Sequence, residues 1–130
     1  MKWALCAAAA MSLQAVNATA AVMTVPDVTS ATATMSAGGR ELVVGANITL
    51  GGCMDDPRVQ APPSGVRPDA QGVVTLSVVV DSSAGPGVAC PMFLRPNTPV
   101  TPLHWMAPPA GLKAVRVVGS HTPAVAAVKE

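Results

Sequence analysis

Thirteen prolines fall after residue 25 and none before it. Inside a helix a proline removes one hydrogen bond and its ring clashes with the preceding turn, at a cost of about 3 kcal/mol. Leu, Glu and Lys, which favour helices, are scarce in the same region. A helical domain is therefore excluded beyond residue 25. Valine, threonine, glycine and proline in this mixture point to short strands joined by many turns.

The strands announce themselves by period. Leu42, Val44, Ala46, Ile48 and Leu50 alternate with Glu41, Val43, Gly45, Asn47 and Thr49. This is a strand with one apolar face. Val73–Val80 carries valines on both faces, which suits a central strand covered on both sides. Shorter strands are expected at Val22–Val25, Arg58–Ala61, Val88–Leu94, Leu103–Met106 and Leu112–Val118. Turn signals separate them: Gly38-Gly39, Asp55-Asp56-Pro57, Pro62-Pro63-Ser64-Gly65, Asp81–Gly87 and Pro108–Gly111. Residues 95–102 hold three prolines and read as a stiff, extended connection. Residues 119–130 show no period and read as a mobile tail.

The first 20 residues read differently. Met1-Lys2-Trp3 precedes an apolar, small-residue run from Ala4 through Leu13, and Ala18-Thr19-Ala20 fits a signal-peptidase site. Residues 1–20 are expected to be a secretory signal peptide cut near Ala20. The apolar run is about half the ~20 residues a membrane span requires, and no other segment comes closer, so the chain is not expected to span a membrane. The expected location is the periplasm or the exterior. Residues 21–39 are then a leader or first strand, residues 40–118 the domain, and residues 119–130 the tail.

Removal of residues 1–20 leaves seven basic and seven acidic side chains. The five arginines are scattered, and Phe93 and Trp105 are the only aromatics beyond residue 20. Nucleic-acid binding needs a basic stripe and stacking platforms, so that class is excluded.

Two cysteines remain, Cys53 and Cys90, and in an exported chain they are expected to pair. A closed loop of about 37 residues would contribute roughly 3–4 kcal/mol in the chain-entropy model. Neither cysteine sits in a C-x-x-C pair, so thiol-exchange chemistry is not expected.

About seven short strands, a disulfide and regular turns define an all-β chain, expected to be a small antiparallel β-sandwich. The succession Leu103–Met106, Pro108-Pro109-Ala110-Gly111 and Leu112–Val118 resembles the closing strands of secreted immunoglobulin-like modules, over residues 40–118. The chain lacks the buried tryptophan and tyrosine corner of true immunoglobulin domains. The resemblance implies an architecture and no activity.

Catalytic sets are absent from the sequence pattern. His104 and His121 are the only histidines, no G-x-S-x-G or H-E-x-x-H occurs, and paired carboxylates lack an aromatic-lined cleft. The leading expectation is a non-catalytic binding or structural module without a cofactor, whose partner is an envelope or extracellular protein. Two alternatives remain. His104 and Met106 share a strand face, and with Met92 they offer the imidazole and thioether donors that suit copper. Arg95, Pro96 and Asn97 form a stiff basic loop that suits insertion into the cleft of an exported protease. Asp55 and Asp56 with Asp81 read as turn residues rather than calcium ligands.

Overall fold

The computed structural model describes residues 23–24, 26–36, 38–82, 87 and 89–130. The expected signal peptide lies outside the described residues. These form nine strands and no helix: β1 (Met23–Thr24), β2 (Asp27–Met35), β3 (Glu41–Gly51), β4 (Met54–Val59), β5 (Val73–Ser82), β6 (Leu94–Pro99), β7 (Leu103–Met106), β8 (Ala114–Val118) and β9 (Ala124–Lys129).

Local chemistry explains the best-defined elements. In β3 the side chains of Leu42, Val44, Ala46 and Ile48 are buried and their neighbours are not, as the alternation requires. β2 and β3 form a hairpin paired from Met35↔Leu42 to Asp27↔Thr49, with a one-residue bulge at Thr29. Its turn carries Gly38 and Gly39 at φ of 87° and 70°, a region open to glycine and strained for most other residues. Ser36 closes it: Gly39 N–H donates to the Ser36 carbonyl (2.9 Å), and Glu41 N–H donates to Ser36 Oγ (3.1 Å). Before β5, the Asp69 carboxylate accepts the backbone N–H groups of Gln71 (2.8 Å) and Val73 (3.0 Å). Those two donors, Val73 first, hold the Asp69 carboxyl below its usual range.

The strands form one curled, mixed sheet in the order β1-β5-β8-β9-β2-β3-β6, with β4 also on β5 and β7 also on β3. The run from β6 to β7 borders β3. On its other side it touches β4 at a single bridge, Arg58↔Thr101. There Val59 N–H donates to the Thr101 carbonyl (3.1 Å) and Thr101 N–H to the Pro57 carbonyl (2.9 Å). The result is a half-barrel wrapped round one core. That core contains Leu42, Val44, Ile48, Val78, Val80, Val115 and Val117, each fully buried. Burying each such side chain is worth about 1.5–3 kcal/mol. No polar or charged residue is buried among the described residues.

Several expectations are corrected here. The sheet is not wholly antiparallel, because β5·β8 and β2·β9 run parallel. Periodicity reports which face a residue occupies, and it carries no information on the direction of a neighbour. The strand expected at Val88–Leu94 is not formed over Ala89–Phe93, and pairing starts at Leu94. The stiff connection after it is the paired strand β6. It tolerates prolines because it sits at an edge and bulges: between Ile48↔Thr98 and Leu50↔Arg95, Thr49 faces both Pro96 and Asn97. Residues 124–129, read as tail, are β9, antiparallel to β8 and parallel to β2. Residues 27–35, read as leader or strand, are β2. In β5 both faces are buried only at Val78–Val80, while Thr75 is exposed.

Candidate functional site

One pole of the half-barrel gathers the end of β3, the start of β4, the end of β5 and the start of β6. Gly52 and Cys53 make the turn between β3 and β4, and Cys90 precedes β6. Cys53 and Cys90 are disulfide-bonded, with Cα atoms 5.3 Å apart. The expected pair therefore forms, although it joins a turn to a loop rather than two strands.

The disulfide pins the segment Pro91-Met92-Phe93-Leu94 against Gly51-Gly52. Gly52 matters through size: a Cβ there would overlap the Pro91 carbonyl oxygen and lie 2.9 Å from its carbon. Phe93 N–H donates to the Pro91 carbonyl (3.1 Å), which turns the chain back on itself within three residues. Leu94 then pairs with Gly51. The side chains that result are unusually open: Met92 is 100% exposed, Leu94 73% and Phe93 38%. They form a contiguous apolar tip together with Gly51, Gly52 and Pro91. The Arg95 guanidinium lies 5.0 Å from the centre of the Phe93 ring, a cation–π contact that holds the ring at the tip's flank.

Charges beside the tip are mostly acidic, with Arg58 bridging two of three carboxylates. Asp55 is opposite Asp81 in register. Arg58 donates to Asp56 Oδ2 and to Asp81 Oδ1, each at 3.3 Å.

The expected binding loop is differently built. Arg95, Pro96 and Asn97 lie in β6, at its bulge. Asn97 has φ of 54°, and its Oδ1 accepts a hydrogen bond from Thr29 Oγ1 at 3.0 Å. The Thr98 hydroxyl donates to the Arg95 carbonyl at 2.9 Å. This segment is thus a paired strand, its backbone bonded to β3 and its Asn97 side chain to β2, rather than a separate loop.

The expected copper ligands are not brought together. His104 and Met106 do share an outward face of β7, and Met106 is 64% exposed. His104 Nδ1 lies 3.2 Å from Glu41 Oε2. However, β7 borders the Glu41 end of β3 and the tip lies at its Gly51 end. His104 is opposite Val43, so Met92 is about 25 Å away along the strand at ~3.3 Å per residue. Among the described residues no three His, Cys, Asp or Glu side chains cluster as metal ligands do.

A second concave feature, a groove of about 500 Å³, separates β7 from the Pro62–Val66 segment. It opens just past the Arg58↔Thr101 bridge, where the two edges diverge.

The sequence reading missed Gly52, Phe93 and Leu94. Their signal was available: four consecutive apolar residues after Cys90, with no polar residue alternating among them. Such a run belongs to neither a half-buried strand nor an ordinary loop. No protein-family model matches the chain, and comparison with curated proteins and with solved structures finds no match.

Proposed function

We propose that the chain is a small exported, non-catalytic binding module, and that the disulfide-pinned tip is the surface with which it meets its partner. One observation carries this reading. The two most exposed large apolar side chains among the described residues, Met92 and Leu94, stand together on a segment fixed by a disulfide and by close packing on Gly52. Exposed apolar side chains tend to collapse onto the fold unless something prevents it. Here the covalent clasp keeps them out. A preorganised apolar anchor of this kind loses little freedom on binding, which favours affinity. The leader-like N-terminus supports export to the periplasm or the exterior, and the disulfide is compatible with an oxidising compartment.

The test is site-specific photocrosslinking in the exporting cell. A photoreactive residue at position 92 should give a discrete adduct, and one at position 125 should not. Val125 is a fair control because it is 60% exposed on β9, away from the tip. Equal labelling from both positions, or none from either, would remove the tip as a binding surface.

A further inference from the structure

The sequence contains a single Asp-Pro pair, Asp56-Pro57. β4 and β5 pair at Asp55↔Asp81 and again at Arg58↔Val79. Asp56 and Pro57 together therefore face Val80, in a bulge that lifts the bond between them out of the ladder. Asp56 has φ of 50°. A residue before proline is pushed toward extended backbone, so this left-handed conformation is strained.

Side chains and backbone hold that bond from both ends. Arg58 Nη1 donates to the main-chain carbonyl oxygen of Asp56 at 2.9 Å and to Oδ2 of the same residue at 3.3 Å. Arg58 Nη2 donates to Asp81 Oδ1 at 3.3 Å, which fixes the guanidinium from the neighbouring strand. Beyond the bond, Thr101 N–H donates to the Pro57 carbonyl at 2.9 Å. One guanidinium thus gathers an electrophilic carbonyl and a carboxylate nucleophile belonging to one residue. The Asp56 side chain is 62% exposed, so water reaches it.

We propose that Asp56–Pro57 is a self-cleavage site, at which the folded chain hydrolyses its own backbone once. A carboxylate oxygen of Asp56 attacks the main-chain carbonyl carbon of Asp56 and closes a five-membered ring. Negative charge moves to the carbonyl oxygen, to which Arg58 already donates. The C–N bond breaks, and the Pro57 nitrogen takes the electron pair and a proton from solvent. That nitrogen carries two alkyl substituents, so it accepts the proton more readily than other backbone nitrogens. Water then opens the cyclic anhydride, which creates a terminal carboxyl on Asp56 and restores its side-chain carboxyl. The net change is one water consumed and one peptide bond hydrolysed. Arg58 is the catalytic residue and Asp81 a positioning residue. The two pieces stay joined, because Cys53 lies before the cut and Cys90 after it. The event concerns the chain's own backbone and is independent of what the tip binds.

At about pH 4 ordinary carboxylates are partly ionised and the departing nitrogen finds protons. The full, disulfide-bonded chain is warmed at that pH, with and without enough urea to unfold it. Mass spectrometry follows it before and after reduction. Unreduced, the folded chain is expected to gain the mass of one water. Reduced, it should give one piece ending at Asp56 and one beginning at Pro57. The folded chain should cleave roughly tenfold faster than the unfolded one, through held geometry and the Arg58 donor. Arg58→Lys cannot span Asp56 and Asp81 together, and should lose most of that advantage while circular dichroism shows the fold retained. Asp56→Glu keeps the charge but needs a six-membered ring, and should remain intact.

Cleavage no faster in the folded chain than in urea would overturn the proposal, as would a chain that stays whole. A folded Arg58→Lys variant that cleaves at the wild-type rate would also overturn it, as would cleavage that survives Asp56→Glu. Should Arg58→Lys fail to fold, the wild type with and without urea decides alone.

Discussion

Gly52→Ala tests the central geometric claim, that the tip is clasped between a disulfide and a residue with no side chain. Gly52 is not among the residues with positive φ, so alanine meets no backbone strain there. Its cost is therefore steric. The added methyl would overlap the Pro91 carbonyl oxygen. An unstrained C···O contact is about 3.3 Å, so loop and turn must separate by about 1 Å. Cys53 and Cys90, each one residue from the overlap, oppose that separation. Overpacking of this kind costs about 1–3 kcal/mol. For a domain of this size that is a fall in Tm of roughly 5–15 °C. Thermal unfolding by circular dichroism would be measured for the wild type, Gly52→Ala, Cys53→Ser with Cys90→Ser, and the triple variant. Removing the disulfide should itself cost roughly 3–4 kcal/mol. In its absence the loop can swing away, and the alanine should cost less than about 0.5 kcal/mol. An unchanged Tm in Gly52→Ala, or penalties that simply add in the triple variant, would refute the clasp.

The remaining expectations concern the tip, the bulge and one turn. Met92→Ser with Leu94→Ser should leave stability within about 0.5 kcal/mol of wild type, since neither side chain contributes to the core; a chemical-denaturation curve checks this. Asn97→Ala should cost about 1–2 kcal/mol by placing alanine at φ of 54°, whereas Asn97→Gly should lose only the Thr29 contact; paired melts separate the two. The Val73 and Gln71 N–H groups hold the Asp69 carboxyl below its ordinary range, so the stability it contributes is present above the ordinary carboxylate pKa and is lost as pH falls through the lowered folded value. The amide resonances of Gln71 and Val73 should therefore shift together in acid, and Asp69→Asn, which keeps the acceptor without the titration, should abolish that shift.

How much of this was legible depends on what each segment encodes. β3 could be read residue by residue, because Leu42 to Leu50 alternate without interruption. β7 and β8 were found within a few residues, and Cys53–Cys90 followed from the count of cysteines. β9 was not found: of Ala124–Lys129 only Ala126 is buried, and small side chains leave no alternation to detect. β6 was hidden by Pro96 and Pro99, which argue against a strand everywhere except at a bulged edge. The parallel neighbours of β5 and β2 depend on contacts distant in sequence, which local pattern does not record. The tip was missed because a strand was assigned across it. Its apolar side chains suit a strand, and only their lack of a polar alternate marks them as outward.

The position of β9 has a temporal side. It fills the gap between β8 and β2, and its pairing with β2 joins Ala33 to Val128, 95 residues later. A chain made from its N-terminus has β2 as the second of these strands and its parallel neighbour as the ninth. Until residues 124–129 emerge, β8 and β2 each carry an open edge and the half-barrel lacks a stave. Such late, distant pairing slows folding and keeps the unfinished chain extended. The last of the nine strands thus acts as a timer: the sheet becomes continuous only once β9 joins it.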